Sequence, residues 1–150
     1  MKPAHVWMVA LMFGFSVASY FERTILSVAA PLMMKEFDLS PTSMGMVFSS
    51  FQLSYTLLMT PGGRWSDRFG PRNTLGVGCF GAALFTSLLP LARGIPVLAA
   101  MRFIFGIFTA PLYPACGHMT SLHLPASQHT RVFGIVNAGA GVGGAISPLL

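Results

Sequence analysis

The chain has 150 residues, 53% of them hydrophobic and only 9% charged, with a mean hydropathy of +0.67. A soluble domain carries about 25% charged residues, so this composition excludes an ordinary globular domain, and its hydrophobicity excludes a disordered segment. Nine Lys/Arg against four Asp/Glu give a net charge of +5, but the basic residues stand singly between apolar runs with no aromatic-interleaved patch, which excludes a nucleic-acid partner.

Crossing a bilayer core takes about 20 apolar residues in a helix. Five runs meet that length: Val6 to Ala30, Ser43 to Pro61, Thr74 to Leu91, Ile95 to Leu122 and Val132 to Leu150. The reading is an all-α membrane protein with five transmembrane helices. The separators are 35–41, the basic turn Gly62 to Asn73, the tight Arg93-Gly94 turn and 124–131, all short loops by composition. With the N-terminus in the cytoplasm, Lys2, Arg64, Arg68, Arg72 and Arg131 fall inside and Lys35 and Arg93 outside, five against two. That bias predicts a multi-pass protein of the cell (inner) membrane with a cytoplasmic N-terminus. A signal peptide is the other reading of the start, since Ser16-Val17-Ala18 loosely resembles a cleavage site, but the apolar run outlasts the usual h-region. The fifth run reaches Leu150 without a polar flank, an abrupt end that predicts a C-terminally truncated fragment.

Ionised side chains at bilayer depth cost at least about 2.5–3.5 kcal/mol. Glu22 and Arg23 interrupt the first run and Arg102 the fourth. At 1.5 Å per residue, Glu22 and Arg102 each lie roughly 10–12 Å from the outer edge, a depth that predicts a shared polar cavity. Ser16, Tyr20, Arg23 and Ser27 are spaced four, three and four, one helix face. Arg102, Gly106, Thr109 and Tyr113 form a similar stripe that ends among Pro111 and Pro114, where the helix should kink or break and free backbone carbonyls. Glu22 lies about 100° around the helix from Arg23 and so points elsewhere, toward Arg102 or a neighbouring helix. Two readings are open: a buried ion bridge that holds helices together, or a site in which one guanidinium, Arg23 first, grips a carboxylate bidentately while Glu22 carries a proton. Tyr55 stands in mid-span with a hydroxyl that wants a partner, and joins Arg23, Arg102 and Tyr20 as a candidate substrate contact.

In the last run Gly139/Gly143, Ala140/Gly144 and Gly141/Ala145 stand four apart, a close-packing face, and Asn137 is the polar residue of that run expected to reach a ligand. Cys79 and Cys116 lie in apolar runs without a CxxC and read as packing residues. His118, His123 and His129 are spaced five and six, a pattern without the i, i+4 pairing of a metal site. No cofactor motif and no nucleophile–base pair is present, so no enzyme, metal or cofactor is expected.

The segment Gly63-Arg64-Trp65-Ser66-Asp67-Arg68-Phe69-Gly70-Pro71-Arg72 resembles the loop 2–3 signature of the major facilitator superfamily. Pro61-Gly62-Gly63, Tyr20 to Ala29, the Arg102-Phe103-Ile104-Phe105-Gly106 opening and Gly139 to Pro148 are similar to its anion:cation symporter branch. The resemblance is collinear over nearly the whole chain. Members have twelve spans in two six-helix halves, so it implies most of an N-terminal half, with the C-terminal half as the missing partner. It further implies uptake of small organic anions, sugar acids or aromatic carboxylates, commonly with protons, by alternating access about a midplane site. Relatives in this branch usually carry Asp where Glu22 stands, and many a Glu where this chain has Thr109, which cannot carry a proton. Gly63, Asp67, Arg68, Gly70 and Arg72 would form a conformational latch against the partner half, with Gly63 and Gly70 permitting a tight turn and Asp67 pairing with a cation or a helix N-terminus. A drug or metabolite exporter of the same superfamily, and a small multi-spanning scaffold, are the alternative readings.

Overall fold

The computed structural model describes residues 3–36, 38–92 and 94–149. Lys2, Arg93 and Leu150, which enter the charge count and the last apolar run, lie outside the described residues. The elements are all helical: α1 (Pro3–Glu36), α2 (Pro41–Phe69), α3 (Pro71–Leu88) with a 3₁₀ turn (Leu89–Leu91), α4 (Ile95–Thr109), α5 (Leu112–His123) and α6 (Ala126–Ile146) with a closing 3₁₀ turn (Ser147–Leu149). Among the described residues, four stretches are long and apolar enough to cross a membrane: Pro3–Glu36, Pro71–Leu91, Ile95–His123 and Ala126–Leu149. The fifth segment, α2, has 29 residues, about 43 Å at 1.5 Å per residue, which is long enough to span. It is less apolar than the others because it carries many hydroxyls, and Ser50 Oγ donates to the Val47 carbonyl at 2.7 Å and Ser54 Oγ to the Phe51 carbonyl at 2.9 Å. Bonded back to their own helix, such hydroxyls no longer carry the full desolvation cost of a polar group in hydrocarbon.

The helices start and stop where local chemistry says they should. Ser40 caps α2, its hydroxyl accepting from the Ser43 N–H at 3.2 Å, and Pro41 occupies the first turn. Gly94, at φ 91°, precedes α4. The turn expected over Gly62 to Asn73 is corrected to one residue, Gly70, whose φ of 83° suits glycine and which stands between Phe69 and Pro71. Gly63 therefore lies inside α2 rather than in a turn. Pro61 and the two glycines after it are tolerated there because a membrane helix passes through such residues when neighbours pack against them. A Cβ on Gly62 would stand 2.9 Å from Pro111 Cγ, and one on Gly63 would stand 3.7 Å from Pro114 Cβ. The glycines that read as a loop are thus packing positions for the proline break in the fourth segment.

That break falls at residues 110–111, between α4 and α5. Pro111 has no N–H for the carbonyl four residues back, and the ladder resumes with the Ala115 N–H donating to the Pro111 carbonyl at 2.9 Å.

The chain forms two compact units, Met1–Val28 with Cys116–Leu150, and Ala29–Ala115. In the second, α4 packs against both α2 and α3. Its core is Phe51, Ala82 and Phe105, with Tyr55 and Phe85 against it. Small residues set the approach: a Cβ on Gly106 would meet Ser54 Oγ and the Phe51 carbonyl, and one on Gly78 would stand 2.8 Å from the Phe108 carbonyl. In the first unit, α6 buries Val132, Val136, Gly139 and Gly143 and the 3₁₀ turn after it buries Ser147, a four-three-four-four spacing. Gly139 and Gly143 receive α1, whose Phe13 carbonyl would be 2.8 Å from a Cβ at 139 and whose Val17 carbonyl would clash with one at 143. This is the small-residue contact expected of membrane helices.

Candidate functional site

On α1 the polar stripe runs from buried to exposed: Ser16 is buried, Tyr20 and Arg23 are half-buried and Ser27 is exposed, and Glu22, off this stripe, is half-buried. Tyr20 and Arg23 are three residues apart, which places their side chains side by side on a helix, and the Arg23 guanidinium carbon lies 5.7 Å from the Tyr20 ring centroid. Thr24 closes the same turn by donating to the Tyr20 carbonyl at 2.7 Å. A guanidinium laid on an aromatic face is held in one orientation by the ring. Ser16 instead faces α6, its Cβ 3.2 Å from where a Cβ of Gly139 would stand.

In the second unit Arg102 is 5% exposed, a burial that charged side chains seldom reach. Its guanidinium carbon lies 5.4 Å from the Phe105 ring, and with Phe85, Thr86, Leu89 and Met101 these two line a small cavity between α4 and the C-terminal end of α3. Tyr55 enters the same aromatic cluster from α2: its ring is 5.7 Å from Phe51, which is 5.6 Å from Phe105. The structure thus brings Tyr20 to Arg23 in one unit, and Tyr55 and Arg102 to one aromatic cluster in the other.

Other candidates stand apart. The stripe Arg102, Gly106, Thr109 is a packed face, with Gly106 against Ser54 and Phe51. Thr109 is buried and donates to its own helix, to the Phe105 carbonyl at 3.0 Å and the Gly106 carbonyl at 3.3 Å. Asn137 is exposed, about 200° around α6 from the Gly139 contact with α1. Asp67, Arg68 and Arg72 are all exposed, at the end of α2 and the start of α3 on either side of Gly70.

Ser54 and Ser147 are among the buried hydroxyls outside the sequence-based candidates. Ser54, on the α2–α4 contact, could be suspected only from the four-residue Ser50/Ser54 spacing opposite a glycine. Ser147 is 1% exposed and its Oγ has no hydrogen-bond partner among the described residues. It lies one turn beyond Gly143, in the 3₁₀ turn after α6, and that four-residue step was its only signal.

The sequence profile of the Major Facilitator Superfamily matches residues 12–150. The chain belongs to the Major Facilitator Superfamily. A hexuronate transporter of Bacillus subtilis is 37% identical over 139 residues, 93% of this chain and 33% of that protein. A D-galactonate transporter of Escherichia coli is 36% identical over 135 residues, 89% of this chain and 31% of that protein. The chain spans about a third of the length of these curated relatives. A crystal structure of a bacterial homologue of the human lysosomal transporter Spinster, inward-facing and unoccupied, superposes with a TM-score of 0.92 at 22% identity, covering 98% of this chain and 31% of that one. The five helical segments have the fold of most of an N-terminal six-helix half of this superfamily, and the protein is a multi-pass membrane protein.

Proposed function

We propose that this chain is part of a secondary active transporter for small organic anions, with sugar acids as the substrate class. The observation that carries the proposal is the Arg23 guanidinium laid against Tyr20 within a membrane-spanning helix. An arginine inside a membrane-spanning segment marks a functional position, and a carboxylate matches the planar fork of a guanidinium. The relatives named for hexuronate and galactonate support a hydroxylated acid over an aromatic one.

In this reading Arg23, positioned by the Tyr20 ring, grips the carboxylate, while Arg102 and Tyr55 supply a second cation and a hydroxyl for the same class of substrate. Glu22 is the proton carrier, because Thr109 has no ionisable group and its hydroxyl is already bonded to its own helix. Asp67, Arg68 and Arg72, beside the Gly70 turn, form the latch of an alternating-access cycle with a second half of the transporter. The N-terminus is cytoplasmic by the excess of arginines at that latch.

The test is uptake into proteoliposomes containing the purified transporter. Saturable uptake of labelled glucuronate, inhibited by galactonate and unaffected by glucose, is the expected result. Equal inhibition by the neutral hexose would overturn the assignment.

A further inference from the structure

Between α2, α3 and α4 lies a groove of about 140 Å³ that the transport reading does not use. Its walls include Leu58, Trp65, Thr74, Val77, Ile107 and Phe108, almost all hydrocarbon. A sugar acid would lose its hydration there without gaining donors, whereas a volume of this order accepts a short run of carbon atoms. Val77 and Trp65 are each 58% exposed, so the groove opens outward from the helix layer.

At one end the groove passes into a cationic rim. The Trp65 ring is 5.3 Å from the Phe69 ring, and the Arg68 guanidinium carbon is 5.7 Å from that same Phe69 ring. This gives an aromatic ladder from the apolar wall to a positive charge. Across Gly70, Arg72 sits in the first turn of α3, two residues before the wall residue Thr74. That helix start has no side-chain cap, so its positive end adds to the field. Arg64, Arg68 and Arg72 outnumber Asp67 three to one over this stretch. An apolar slot ending in exposed aromatics and arginines has the layering of a bilayer leaflet, with hydrocarbon below and phosphate above.

We propose that this groove seats an acyl chain of an anionic glycerophospholipid, with its phosphate held at Arg68 and Arg72. A bound lipid of this kind would sit beside the latch and couple its opening to leaflet charge. That coupling rests on the latch reading above, but the lipid site does not.

Quenching of Trp65 fluorescence by lipids brominated on the acyl chain tests the site directly. The Trp65 signal is obtained by subtracting that of the Trp65→Phe protein. In symmetric vesicles, brominated phosphatidylglycerol should quench Trp65 with about a thirtyfold preference over brominated phosphatidylcholine, the order set by two surface arginines. The preference should fall to parity in Arg68→Gln/Arg72→Gln, and filling the groove with Val77→Phe/Ile107→Phe should reduce quenching by both lipids. Equal quenching by the two lipids in the unmodified protein would overturn the proposal, as would a preference that outlives both arginines or quenching indifferent to the filled groove. Neither uptake nor orientation enters this measurement, so a failure of the transport reading leaves its outcome distinguishable.

Discussion

The Arg23 guanidinium carbon lies 5.7 Å from the centre of the Tyr20 ring, one turn back on α1. A contact of this kind stabilises by about 0.5–1 kcal/mol when exposed and ~2 kcal/mol when desolvated, enough to hold the fork in one orientation. Tyr20→Phe keeps the ring and should leave the KM for the anion within about twofold, whereas Tyr20→Leu removes it and should raise KM about tenfold, the equivalent of 1.4 kcal/mol. Initial uptake rates against substrate concentration measure both. A Tyr20→Leu protein with unchanged KM would show that the ring does not position Arg23.

Close packing of α6 on α1 predicts asymmetric tolerance among the glycines. A Cβ at Gly143 collides with the Val17 carbonyl, while one at Gly144 meets nothing within 4 Å. Gly143→Ala should destabilise by about 1–3 kcal/mol, the usual cost of overpacking, and Gly144→Ala should be close to neutral. Thermal unfolding in detergent compares the two, and equal midpoints would contradict the α1–α6 contact.

Asp67 is exposed beside Gly70, so removing its charge should spare the fold and affect only the cycle. Asp67→Asn is expected to slow uptake about tenfold or more, within the range of a single charge-assisted contact, with no change in thermal midpoint. Gly63→Ala should fold normally, since its Cβ would stand an ordinary 3.7 Å from Pro114. Full uptake by Asp67→Asn would remove Asp67 from the latch.

Glu22 is half-buried in α1, and the amide in Glu22→Gln keeps its shape without the ability to ionise. Accumulation driven by an imposed proton gradient should be lost in that variant, while exchange of labelled for unlabelled substrate at equilibrium continues. Accumulation that survives would assign coupling to another group.

Much of the helical pattern was legible because apolar runs and prolines act locally. Pro111 and Pro114 mark the break at 110–111, and the three-residue step from Tyr20 to Arg23 places both on the one face of α1 where they meet. Loop length was misread from composition: Pro61, Gly62 and Gly63 look like turn residues, yet they continue α2 because the prolines of the fourth segment pack on them. Side-chain commitments were less accessible. A threonine hydroxyl bonds either its own carbonyls or a ligand with the same sequence signature, and Thr109 does the former. Asn137 lies two residues from Gly139, and at 100° per residue that step turns it away from the α1 contact. Ser147 carries no mark in the sequence beyond its spacing from Gly143.

The account turns on Arg23 as the group that recognises a carboxylate, and Arg23→Lys isolates that role. Lysine keeps the positive charge and gives up the planar fork that meets both carboxylate oxygens. Glucuronate uptake by the Arg23→Lys transporter, measured across substrate concentrations, should show KM raised about tenfold or more with the maximal rate little changed, as for loss of binding shared by ground and transition states. An unaltered KM in a properly folded Arg23→Lys protein would contradict the account.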